Sequence, residues 1–118
     1  MRDRQQLGQA GEDAAARHLV RQGMAVIARN WRCRYGELDI IARDGSVLVF
    51  CEVKTRRGTG FGVPLSAITP RKVARIRQLA ALWLVETGGH RGPVRLDAVG
   101  LLERPDGHFD IEHVRGVS

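Results

Sequence analysis

Residues 47–53 read Val-Leu-Val-Phe-Cys-Glu-Val. In an extended chain successive side chains point to opposite sides, so Val47, Val49, Cys51 and Val53 clothe one face and Leu48 and Phe50 the other. A strand that is apolar on both faces cannot border water. It belongs in the middle of a sheet covered on both sides, and helices are the usual cover.

The rest of the chain supplies that cover. Over residues 7–22, Leu7, Ala10, Gly11, Ala14, Ala15 and His18 share one face of a helical wheel, and Gly23 follows as a stop. Thr69-Pro70 places a cap and a first-turn proline ahead of a second helix. There Val73, Ile76, Ala80, Trp83, Leu84 and Thr87 share a face, and Gly88-Gly89 ends the run. Residues 24–31, 37–42, 47–54, 94–102 and 109–114 have strand patterns, and Asp44-Gly45 signals a tight hairpin. Residues 32–36 read as a basic turn, and residues 56–64 as a glycine-rich loop. The expected fold is α/β, a mixed sheet flanked by helices in the order α-β-β-β-α-β-β. No linker interrupts it, so residues 1–118 are expected to form one domain.

Charge narrows the function. Lys+Arg is 19 against Asp+Glu 13, giving a net charge of +6, and 17 of the cations are arginine. Forked guanidinium groups suit phosphate, which makes nucleic acid the first partner to consider. The longest apolar run, residues 79–85, is far short of the roughly 18–20 residues a membrane span requires. The first residues carry charges with no apolar stretch behind them, so a cytoplasmic protein is expected. Cys33 and Cys51 show no CxxC spacing, and the four histidines form no HxxxH pair. Any metal would be held by oxygen.

Carboxylates are available where strands meet. If Asp44 and Gly45 form the two-residue loop, Arg43 pairs with Ser46, Asp39 with Phe50 and Glu37 with Glu52. Glu37, Asp39, Glu52 and Lys54 then share one face, with Asp39 diagonal to Glu52 at about 7–8 Å between backbone positions. A slip of one residue would undo the convergence. Two carboxylates together on a buried strand repel, and each loses solvation unless a cation neutralises them. Lys54 offsets one charge, and a hard divalent ion such as Mg²⁺ or Mn²⁺ suits the rest. A hairpin of ordinary salt bridges is the alternative reading of the same residues.

The Asp39, Glu52-Val53-Lys54 pattern resembles the PD-(D/E)xK signature of restriction-endonuclease-like nucleases. The wider string resembles the bacterial YraN family of uncharacterised proteins, relatives of archaeal Holliday-junction resolvases. It comprises residues 8–15 (Gly-Gln-Ala-Gly-Glu-Asp-Ala-Ala), Arg29-Asn30, residues 36–41 (Gly-Glu-Leu-Asp-Ile-Ile), residues 49–56 (Val-Phe-Cys-Glu-Val-Lys-Thr-Arg) and Lys72. The match extends over residues 8–97. It departs from the signature in having Leu38 before Asp39 and Cys51 before Glu52. The resemblance implies a Mg²⁺-dependent DNA endonuclease with Glu12, Asp39, Glu52 and Lys54 as catalytic residues. Glu12, Asp39 and Glu52 would be the metal ligands, and resolvase-like enzymes also imply a homodimer. On the wheel Glu12 flanks the apolar stripe, where it can reach over the sheet or remain solvated at a favourable helix end.

Seven cations and no acid stand between Val53 and Val85. Arg56, Arg57, Arg71, Lys72 and Arg75, with Phe61 to stack on a base, are the expected nucleic-acid contacts. A binding module of the same fold without strong catalysis remains the competing expectation.

Overall fold

A computed structural model describes residues 1–58 and 64–117. Eight elements follow one another: α1 (Arg4–Arg21), β1 (Ala25–Cys33), β2 (Gly36–Asp44), β3 (Val47–Arg57), a short 3₁₀ turn (Pro64–Ala67), α2 (Pro70–Glu86), β4 (Val94–Glu103) and β5 (Phe109–Arg115). The five strands form one sheet in the order β1-β2-β3-β4-β5. Only β3 and β4, joined through α2, run parallel. This is the mixed α/β arrangement and element order expected from the sequence. No helix among the described residues is long and apolar enough to cross a membrane.

As its pattern demands, β3 is central and buried on both sides. Ala14, Ala15 and Leu19 of α1 pack on one face of the sheet with Ile40, Val49, Cys51 and Val99. Ile76, Leu79 and Ala80 of α2 pack on the other with Leu38, Ile41, Leu48 and Phe50. Thr87, expected on the buried face of α2, is instead exposed and forms the C-cap, its hydroxyl donating to the Trp83 carbonyl at 2.7 Å. A hydroxyl satisfies a terminal carbonyl there better than an apolar side chain would.

Several element ends differ from the sequence pattern. α1 begins three residues before Leu7, with Asp3 accepting from the Gln6 amide at 2.8 Å and Gln6 accepting from the Asp3 amide at 2.9 Å. This capping box lies in a polar first turn, where apolar periodicity carries no signal. β3 continues to Arg57, so Arg56 and Arg57 stand on a strand and not in a loop. The continuation follows from its parallel pairing with β4, which runs as far as Arg57↔Glu103.

The hairpin register also differs. Asp44 pairs with Val47, leaving Gly45-Ser46 as the loop, and Gly45 has φ 60°. Glycine thus stands first of the two loop residues, a position that requires positive φ. The pairing is displaced by two residues from the expected one. An even displacement preserves which side chains share a face.

The α1–sheet contact is unusually close at Gly11. A Cβ there would lie 2.0 Å from Thr55 Oγ1 and 2.9 Å from Thr55 Cβ. Gly11→Ala should therefore cost about 1–3 kcal/mol, measured as a lower denaturant midpoint. Adding Thr55→Gly should recover most of the loss. Failure of that rescue would mean the helix does not approach β3 at this point.

Candidate active site in a parted sheet

The site begins where two strands part. The β2–β3 ladder runs from Asp44↔Val47 to Ile40↔Cys51 and stops. Beyond it β2 stays with β1 as far as Gly36, while β3 stays with β4 as far as Glu103. Asp39 sits at the fork. Its Oδ2 accepts the Val53 backbone N–H at 2.8 Å, so a side chain replaces the next rung of the ladder.

β2 also turns over at this residue. Leu38 packs with the α2 core and Ile40 with the α1 core, although residues two apart on a regular strand share a face. Across the strand pair, Asn30 has φ 54°, a left-handed conformation that asparagine tolerates better than most residues. The irregularities adjoin one another: Trp31↔Leu38 and Arg29↔Ile40 flank the Asn30–Asp39 position.

The fork opens into a cleft of about 800 Å³. Glu12, Asp39 and Lys54 line it, with Glu37, Arg56 and Arg57 further along the wall. Glu52 meets Asp39 through a hydrogen bond between their carboxyl groups. The four expected catalytic residues are thus brought together, but not on one sheet face. Glu52 and Lys54 alternate with Val53, which packs on the α1 side, whereas Glu12 comes from α1 itself. They meet through the gap between the strands.

Electrostatics explain the shared hydrogen bond. Burial, followed by the negative charge of Asp39, pushes Glu52 up to about 8. Burial also pushes Asp39 up to about 6, opposed by its bond from Val53, with the Glu12 and Glu37 charges adding to the rise. Near neutrality one proton therefore stays between the two carboxyls, shared by the pair. Lys54 is lowered by burial and then by the positive charges of Arg56 and Lys72. It forms no ion pair with Glu52 among the described residues, so the ordinary salt-bridge reading holds for Glu37, which pairs with Arg32 at 3.3 Å, but not for Glu52 and Lys54.

The donors are all hard carboxylate oxygens, which fits a divalent cation able to displace that proton. Glu12 is held differently. Arg29 on β1 donates from Nε to Glu12 at 3.0 Å and from Nη2 to Asp13 at 2.7 Å. Among the described residues, no three acidic, histidine or cysteine side chains form a ready-made ligand shell. Asp39 and Glu12 line the cleft and Glu52 sits behind Asp39, so a cation there would be held by Asp39 and Glu52, with Glu12 on the wall in the guanidinium's grip.

The expected nucleic-acid contacts divide. Arg56 and Arg57 reach the cleft, but Arg57 already donates to Glu103 at 3.0 Å and to the Arg2 carbonyl at 2.7 Å. Arg71, Lys72 and Arg75 are exposed on the first turns of α2 and do not line the cleft. The charge of Lys72 acts on Glu52, which puts that end of the helix beside the site. Phe61 lies outside the described residues. Sequence reasoning gave no role to the Arg29 clamp, because its partners are 16 and 17 residues away and no local pattern joins them.

The model of the uncharacterised protein family UPF0102 matches residues 11–101, most of the chain. The chain belongs to this family. A UPF0102 protein of Streptomyces griseus is 57% identical over 119 residues, covering the whole of both chains. Another, from Acidothermus cellulolyticus, is 56% identical over 123 residues, with 96% of this chain and 93% of the relative covered. A third, from Nocardia farcinica, is 53% identical over 115 residues, with 98% and 91% covered. The UPF0102 match contains Glu12, Asp39, Glu52, Lys54, Arg56 and Lys72.

Proposed function

We propose that this UPF0102 chain is a divalent-metal-dependent DNA endonuclease of the PD-(D/E)xK kind, hydrolysing phosphodiesters in the Asp39–Glu52 cleft. The observation that carries the reading is the carboxyl pair itself. Two acids on adjoining strands are buried against each other at the fork, so that one retains its proton near neutrality. Ionising both acids of such a pair is costly to the fold, and a divalent cation between them removes that cost.

Asp39 and Glu52 would hold Mg²⁺ or Mn²⁺, with Glu12 as the third acid. The bound ion would polarise the phosphodiester and acidify a water. The remaining work falls to the chain. The Val53 amide fixes the direction of Asp39. Lys54, on the same strand face as Glu52, presents an ammonium to the charge that develops on the phosphoryl oxygens. Arg56 lines the approach and Lys72 stands beside it, where both favour an entering phosphate backbone.

A nuclease assay over branched, flapped and linear DNA, with Mg²⁺ and Mn²⁺, tests the reading. Asp39→Asn should be purified in parallel as the control for contaminating nuclease. Metal-dependent cleavage by the wild type, absent from Asp39→Asn, is expected. Equal cleavage by both proteins would remove the activity from this site. DNA binding in EDTA without cleavage in any metal would favour the binding-module reading.

Binding should weaken steeply with salt as phosphates release counterions. Neutralising Arg56 and Arg75 together should reduce the log–log salt slope by about 2, roughly 0.9 for each lost phosphate contact. Adding Arg57→Gln should change it less, because Glu103 already occupies that guanidinium. An unchanged slope in the double variant would place the binding surface elsewhere.

A further inference from the structure

Arg56 is the residue on the cleft wall whose hydrogen bonding is incomplete. Its Nε is buried and has no hydrogen-bond partner among the described residues. A buried guanidinium N–H without an acceptor is costly, and it forms no ion pair there to offset the cost. Neighbouring arginines differ. Arg57 is held by Glu103, and Arg32 pairs with Glu37 at 3.3 Å. Arg56 also acts on Lys54 as a like charge, whereas the nearby carboxyls, Glu52 and Asp39, act on Lys54 in the opposite sense.

Position supplies the second argument. Glu52, Lys54 and Arg56 alternate along one face of β3, and residues two apart on a strand are separated by about 6.6 Å. Successive phosphates along a nucleic-acid strand have a comparable spacing. A phosphate beside Glu52 and Lys54 would therefore place its neighbour in the chain near Arg56.

We infer that Arg56 forms a second anion subsite, which takes the phosphate adjacent to the one at Glu52 and Lys54. The substrate is then a polynucleotide strand gripped over at least two consecutive phosphates, and not a mononucleotide or an isolated diester. The substrate part rests on the nuclease reading above, whereas the anion subsite rests on Arg56 alone.

Both parts can be tested in EDTA, independently of cleavage. Inorganic sulfate should raise the melting temperature of the wild type and of Arg43→Gln, an exposed β2 arginine outside the cleft, but not of Arg56→Gln. Arg56→Lys, which keeps the charge but loses the Nε donor, should show a reduced rise and guards against misfolding of the glutamine variant. Thymidine oligonucleotides then count phosphates. Lengthening the probe from the dinucleotide TpT to the trinucleotide TpTpT should tighten wild-type binding roughly tenfold or more. Arg56→Gln should lose that gain. Equal sulfate stabilisation of wild type and Arg56→Gln would overturn the subsite. A phosphate gain that survives Arg56→Gln would overturn its place on the strand. Absence of cleavage on every DNA, with both Arg56 effects intact, would count against the nuclease reading and leave the subsite standing.

Discussion

Glu52→Gln should abolish cleavage while making the metal-free protein more stable than the wild type at pH 8. The sign follows from linkage. The folded state holds the Glu52 proton up to about 8, whereas the ordinary value for a glutamate is 4.5. Between those values the folded protein binds more protons than the unfolded chain, so raising the pH lowers stability. Asp39, raised from 3.8 to about 6, acts in the same direction over its own window. Glutamine does not titrate, and its amide can donate to Asp39 as the protonated Glu52 does. The stability difference between variant and wild type should therefore grow by up to about 1.4 kcal/mol per pH unit through that window. Mg²⁺ should restore the wild type at pH 8 and have little effect on Glu52→Gln. Melting curves at several pH values, with and without Mg²⁺, measure all of this. Had Glu52 been the partner of Lys54, the substitution would have stranded an ammonium and lowered stability at every pH. A destabilised metal-free variant with unaltered metal binding would falsify the assignment.

The parts of this site that sequence reveals are those set by local alternation. Residues 47–53 announced a central strand because both faces are apolar, and the strand is central. The closeness of Asp39 to Glu52, expected as a diagonal contact, survived an error in the turn, because an even displacement of two residues keeps the alternation of β3 against β2 in phase as far as Ile40↔Cys51. What the alternation could not show is the fork. That β2 leaves β3 after Ile40, turns over at Asp39 and lies beside a left-handed Asn30 depends on three strands at once. The assumption of regular strands therefore put Glu12, Asp39, Glu52 and Lys54 on one face, where the protein uses a gap between faces. Contacts remote in sequence were silent for a related reason. Arg29 gripping Glu12, Thr55 pressing on Gly11 and His18 meeting His113 at 3.0 Å each depend on tertiary packing without a periodic signature.

The His18–His113 contact belongs to a second polar cluster, behind the site, whose loss should be felt as stability. Asp97 on β4 has a fully buried side chain beside Cys51 of β3. Its two oxygens accept from Arg95 at 2.8 and 3.1 Å, from the Gly116 amide at 3.1 Å and from His113 at 2.8 Å. Four donors outweigh the cost of burial and hold its carboxyl below the usual range. Because Asp97 remains ionised, His113 donates to it from Nε2, and its Nδ1 faces His18 Nε2 at 3.0 Å. Asp97→Ala would strand the Arg95 guanidinium, the Gly116 amide and the His113 ring together. The expected loss is about 3–5 kcal/mol, a large share of the stability of a chain this size. It should be read from urea midpoints, with Asp97→Asn as a milder companion if the alanine variant does not fold. The acid limb should change as well. A depressed carboxylate contributes stability above its unfolded value that disappears as pH falls through the folded one, so the variant should lose less on acidification than the wild type. Its cleavage per folded molecule, assayed well below its midpoint, should be retained, whereas Glu52→Gln should lose cleavage at full stability. An Asp97→Ala protein within about 1 kcal/mol of wild type would show that Asp44, which accepts from Arg95 at 3.1 Å, suffices alone.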